Sequence, residues 1–250
     1  MNSQQRIEIS IEMERRAMEL RQEIGNKNTD PISIHTILRD KNILCLYRPL
    51  DNHFSGMAIK TTTDNAQTYR FMLINSAQVI GKQRFTACHE LYHLLYQKDF
   101  RSSRNNAGLF NEKDIEEYKA DIFAAFLLLP TEGIRLSIPS EELTQGRVTL
   151  QTVISLEQRF RCSRQALLCR LKDLRLIDKD QSENYSIHPM RSALEYGYSK
   201  ELYQPTLKNE IIGDYNTKAR ELYDKGMISQ ARYYELLKDM GIDLNQEKEQ

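Results

Sequence analysis

Arg84-Phe85-Thr86-Ala87-Cys88-His89-Glu90-Leu91-Tyr92-His93-Leu94-Leu95-Tyr96 is the stretch whose reading decides the fold. Ala87, Leu91, Leu94 and Leu95 recur at helical spacing, so these residues are expected to form a helix anchored in a core. His89 and His93 are four residues apart, one turn from each other on a second face, where both imidazoles can reach a single ion. Neutral imidazole is a common ligand of zinc. Glu90 sits between them, where it can take a proton from a water at that ion. Metal, base and hydrolytic chemistry are thus named by five residues. The competing reading is a surface histidine pair on an ordinary amphipathic helix, and the separate apolar stripe argues against it.

A catalytic zinc usually takes three protein ligands and leaves the fourth position for water. The third is expected within residues 114–130, DIEEYKADIFAAFLLLP, a buried helix with Asp114 as N-cap and Pro130 as its stop. Glu117, Asp121, Ala124 and Leu128 fall on one stripe of it. Two carboxylates one turn apart on a largely apolar helix require a reason. Glu117 is the candidate ligand, and Asp121 is the candidate acceptor for the free ring N–H of a metal-bound histidine, which fixes its tautomer. Two alternatives stay open. Asp114 and Glu117 also match a capping box, in which Glu117 bonds back to the Asp114 N–H, and Glu116 is the fallback ligand if the register differs.

These residues resemble the ImmA/IrrE family of zinc-dependent peptidase-like proteins. The resemblance rests on Arg84-Phe85-Thr86 leading into His89-Glu90-Leu91-Tyr92-His93, and on Glu117-Tyr118-Lys119-Ala120-Asp121 followed by Phe123-Ala124 and Leu127-Leu128-Leu129-Pro130. Phe71-Met72-Leu73-Ile74-Asn75 is similar to the family's strand ending in asparagine just before the zinc helix, which makes Asn75 a candidate substrate contact. The similarity spans about residues 30 to 180. It implies one Zn2+ held by His89, His93 and Glu117, with Glu90 as catalytic base. It also implies a protein substrate, a helix-turn-helix repressor whose cleavage relieves repression. Members often carry glycine where this chain has Tyr92, whose phenol is expected to crowd one side of the site.

Composition bounds the rest. At 250 residues and 40% hydrophobic, the chain can bury one good core and a small second unit. Lys plus Arg and Asp plus Glu are 35 each, so nothing global points to nucleic acid or membrane. There is no long apolar run and the first residues are polar and charged, so a soluble, cytoplasmic protein is expected. Cys45, Cys88, Cys162 and Cys169 have no CxxC pairing and are expected as free, mostly buried thiols. Cys88 points about 100° away from its neighbour His89 on a helix, which disfavours it as a ligand. His35, His53 and His188 read as surface or turn residues.

The fold class expected is α+β: a mostly helical, zincin-like peptidase core with a small three-stranded sheet, then helical, helix-turn-helix-like segments. Residues 4–24 read as a helix with Ile7, Ile11, Met18, Leu20 and Ile24 as its apolar set. Asp30-Pro31 reads as the start of a short helix. Strands are expected at 43–47, 56–59 and 69–74, and an exposed edge strand beside the metal suits an extended substrate segment. Residues 150–178 read as two short helices with Ser163 opening the second. Between 151 and 178, six basic residues (Arg159, Arg161, Arg164, Arg170, Lys172, Arg175) face three acids, an excess too small to favour DNA contact over packing on the core. Residues 180–192 read as a polar linker and 193–245 as tyrosine-rich helices, with 247–250 frayed. The division expected is a metallopeptidase domain at 1–140, a helix-turn-helix-like segment at 141–180 and a C-terminal helical region at 181–250.

The leading functional reading is a gluzincin-like metalloendopeptidase. Its rival is a non-catalytic, zinc-stabilised regulator that binds a repressor or DNA through its helical C-terminal half. A hydrolase acting on a small-molecule amide is a second rival, which a closed pocket in place of an open groove would favour.

Overall fold

A capping box opens the chain: the Asn2 side chain accepts from the Gln5 N–H and Gln5 returns a bond from the Asn2 N–H, starting α1 (Ser3–Glu23). The structure, a computed structural model, describes residues 1–242 except 52, 106, 107, 109, 112 and 113. The tail expected to fray lies outside the described residues. α1 buries Ile9, Met13, Ala17 and Leu20. Most of the expected apolar set is on the other face, with Ile7, Ile11 and Met18 55%, 64% and 40% exposed. Both stripes have helical spacing, and packing against a later helix selects between them. α2 (Ile34–Asp40) begins three residues later than expected, because Ser33 rather than Asp30 caps it through the Thr36 N–H.

The three expected strands are present as β1 (Ile43–Arg48), β2 (Gly56–Thr62) and β3 (Thr68–Asn75). Two more join them, β4 (Ser102–Asn105) and β5 (Glu210–Ile212), giving a five-stranded sheet in the order β4-β2-β3-β1-β5 instead of three strands. β1 and β3 are parallel, Cys45 opposite Met72, and the other pairs are antiparallel. Ile43, Cys45 and Tyr47 alternate into the core, as a sheet covered on that face requires.

α3 (Ile80–Leu95) packs on β2 and β3 and against α4 (Ile115–Leu128), which also receives α1. Of its 16 residues 12 are buried, so the histidine-bearing helix is enclosed on nearly every side, not anchored by one stripe. α4 is held at both ends. Asp114 accepts from the Glu116 and Glu117 N–H groups at its start. Two arginines meet the carbonyls at its finish, where cations are favoured. Arg21, fully buried, donates to the carbonyls of Leu127, Lys27 and Asp30, and burial lowers its pKa to about 10. Arg170 donates to the Leu129 carbonyl and the Thr131 hydroxyl, with its guanidinium 4.1 Å from the Phe126 ring centroid.

α5 (Thr131–Ser137) and α6 (Ser140–Gln145) lead to α7 (Leu150–Phe160) and α8 (Arg164–Asp173), the expected helix pair, with Ser163 capping α8 through the Ala166 N–H. Their apolar faces belong to the same core as α1, α3, α4 and the sheet. Arg164 is buried in a two-pronged ion pair with the buried Glu157, which also accepts from the Tyr203 hydroxyl. Arg164 and Arg170 therefore face inward, and the small basic excess of this segment shrinks at its surface.

The stretch read as a linker is instead α9 (Lys179–Tyr185) and α10 (Pro189–Glu195), the first opened by an Asp178–Gln181 capping box and the second by proline at its first position. After a 3-10 turn (Glu201–Tyr203) the chain adds β5 to the edge of β1, within a region expected to be wholly helical. α11 (Tyr215–Asp224) and α12 (Gln230–Asp239) form a pair with Tyr223 and Tyr233 stacked 4.9 Å apart. Among the described residues no helix is long and apolar enough to cross a membrane.

Gly81 in α3 sits where a Cβ would lie 2.5 Å from the Ser163 nitrogen and 2.8 Å from the Cys162 carbonyl carbon, backbone atoms of the α7–α8 turn. Alanine normally stabilises a helix relative to glycine. Here Gly81→Ala is expected to destabilise the protein by about 1–3 kcal/mol, as overpacking does. Urea denaturation measures it, and an unchanged or raised midpoint would remove the close contact from the account of the fold.

Candidate metal centre

Two helices bring three donors to one point. His89 and His93, one turn apart on α3, have their Nε2 atoms 3.1 Å from each other. Glu117, in the first turn of α4, places Oε2 3.1 Å from His89 Nε2 and Oε1 3.4 Å from His93 Nε2. Ligand atoms about 2.0–2.1 Å from a tetrahedral ion are about 3.3–3.4 Å from one another. All three separations are close to that, so the residues present fit a single ion of zinc's size. Both imidazoles are buried while the Glu117 side chain is 22% exposed, so solvent reaches the cluster from the α4 side.

The charges agree with the geometry. Burial opposes a charged His89, yet its bonds to Asp121 and Glu117 outweigh burial and raise its pKa to about 10. His93 is shifted down, by burial first and then by the charge on His89.

The remaining ring nitrogens are also held. His89 Nδ1 is 2.7 Å from Asp121 Oδ1, the contact expected of Asp121. Asp121 is buried and accepts two further bonds, from the Gly108 N–H at 2.7 Å and the Phe110 N–H at 2.6 Å. Gly108 and Phe110 both have positive φ, a backbone curl that turns their amides onto this carboxylate. His93 Nδ1 meets Gln97 Oε1, and the Phe100 ring stacks on the imidazole at 5.2 Å. Gln97 escaped the sequence reading because it lies just past the end of α3, where helical spacing no longer applies.

Glu117 does not fold back into a capping box; its carboxylate is directed at the imidazoles, while Asp114 alone supplies the cap oxygen. Glu116 accepts instead from the Tyr92 hydroxyl at 2.9 Å and from Lys119 at 2.7 Å. That bond ties the Tyr92 phenol to the first turn of α4. Glu90 is fully buried on α3, and its charge adds to the proton affinity of His89. Asn75 is not brought to the cluster. Its oxygen accepts from the Leu50 and Ala77 N–H groups and its nitrogen donates to the Asp51 and Phe54 carbonyls, which engages every donor and acceptor of the amide in shaping the turns around β3. Cys88 is buried, with its thiol pushed up to about 12 by burial, and is not among the clustered donors.

The profile of one protein family, Peptidase_M78, described as the IrrE N-terminal-like domain, matches residues 39–172, more than half of the chain. No curated protein matches the sequence.

Asp121→Asn is expected to weaken binding of a divalent ion by about 10–100-fold, and Gln97→Leu by less, because the lost acceptor is neutral. Competition against a chromogenic chelator reads both, with circular dichroism confirming the helices. Equal affinities in the wild-type and Asp121→Asn proteins would show that the carboxylate does not tune the ligand.

Proposed function

The chain belongs to the Peptidase_M78, IrrE N-terminal-like family of metallopeptidases, and from that membership we propose that it is a one-zinc endopeptidase that cuts a transcriptional repressor. The observation that carries the chemistry is the convergence of His89, His93 and Glu117 on one point. Glutamate as third donor makes this a gluzincin-like set.

A zinc ion held there would supply Lewis acidity, lowering the pKa of a water and polarising a peptide carbonyl. His89 and His93 would hold it through Nε2, with Asp121 and Gln97 beside their Nδ1 atoms to keep each ring in one orientation. Glu90, on the same helix between them, would take a proton from the attacking water and return it to the departing amine nitrogen. Its burial keeps this carboxylate in a medium where the transfer is strongly felt.

A cleft of about 900 Å3 bordered by β2 and Phe100 supports a protein substrate, because Phe100 also stacks on His93. A groove of this kind, beside an edge strand, suits an extended chain more than a small amide. The repressor as target rests on the family resemblance. The rival of a DNA-binding regulator is disfavoured by the inward-facing Arg164 and Arg170.

Glu90→Gln separates enzyme from scaffold. The variant is expected to keep its zinc and fold while cleavage falls by about 10²–10⁴-fold, and to retain its target for identification by mass spectrometry after co-purification. Derepression in cells that persists with Glu90→Gln would sink the peptidase reading.

A further inference from the structure

At the N-terminal end of α3 lies a separate cavity of about 350 Å3, none of whose lining residues belongs to the metal cluster. Arg84, Arg161 and Lys208 line it, from α3, from the end of α7 and from the approach to β5. Their charges are poorly matched by the protein. Arg84 donates through Nη2 to the Ile32 carbonyl, but its Nε is buried without a hydrogen-bond partner. Arg161 has one carboxylate near it, that of the exposed Glu201, at 3.6 Å. Lys208 makes no ion pair among the described residues, although Glu210 also lines the cavity.

The first turn of α3 also borders the cavity, its Ile80 N–H donating to the Gln204 carbonyl. Burial, and then the like charge of Arg161, lowers the pKa of Arg84, so the two guanidinium groups repel across a shared space. Three cations around one cavity, against the two carboxylates of Glu201 and Glu210, leave an excess of positive charge that an oxyanion relieves.

We propose that this cavity binds the phosphate group of a small molecule, with Arg84, Arg161 and Lys208 as its donors. Its volume lies within the range of small-molecule clefts and exceeds what a bare phosphate fills, so a phosphate monoester is the better-fitting source. Arg84 precedes His89 by five residues on the same helix, so an occupant bears on the element that carries both imidazoles.

The test is titration of the metal-loaded protein with inorganic phosphate and, separately, ribose 5-phosphate, followed by 31P NMR line width. Saturable binding of both is expected, tighter for the sugar phosphate; equal affinities would assign the site to free phosphate and still support it. Arg161→Asn and Lys208→Met should each weaken binding about tenfold, the worth of one charge-assisted hydrogen bond. Both side chains are exposed, and asparagine tolerates the positive φ of position 161, so neither variant threatens folding. Glu117→Gln should leave binding unchanged. The reverse pattern, insensitivity to the first two and loss with Glu117→Gln, would place phosphate on the metal and overturn the proposal, as would the absence of saturable binding.

Discussion

The carboxylate of Asp121 joins parts of the molecule that local sequence cannot bring together. It accepts from His89 on α3 and from the Gly108 and Phe110 amides, while being carried by α4. A buried carboxylate is tolerated because its oxygens are met by these donors; removing one leaves desolvated charge behind. The contact therefore fixes more than a ring orientation. It sets α3 against α4, and Glu117, one turn before Asp121, inherits its position from the same alignment.

That alignment has a second support along the helix axis. Asp114 holds the first turn of α4, and Arg21 and Arg170 hold its last carbonyls. A slip of one residue moves a helix by about 1.5 Å, enough to take Glu117 out of reach of both Nε2 atoms. The two arginines come from α1 and α8, far apart in the chain, so the outer helices act on the centre through the end of one inner helix. Gly81 performs a related task at the other inner helix, letting the α7–α8 turn press directly on the backbone of α3.

What was legible in the sequence follows from how local each signal is. His89 and His93 lie one turn apart, and so do Glu117 and Asp121, so spacing alone places each pair on one face. The α7–α8 pair is legible for the same reason, with Ser163 marking its cap. The buried face of α1 is not, because Ile7, Ile11 and Met18 form as regular a stripe as Ile9, Met13 and Leu20, and only α4 distinguishes them. β4 and β5 are four and three residues long, too short for a periodic pattern, and both are defined by partners distant in sequence. Asn75 shows the opposite limit. Asn75, the candidate substrate contact at the end of β3, has its amide engaged by backbone in turns that its position in the strand does not reveal.

The pairing of Cys45 in β1 with Ile212 in β5 also has a bearing on the order in which the protein is made. Every element that carries the metal donors has left the ribosome once α4 is complete. β1, however, still presents an unpaired row of backbone N–H and C=O groups on its outer side until residues 210–212 are synthesised. An open edge of this kind invites pairing with other nascent chains. The C-terminal region thus acts as a late cover for the sheet on which α3 rests, and a chain interrupted before it carries the His89, His93 and Glu117 cluster on an unfinished support.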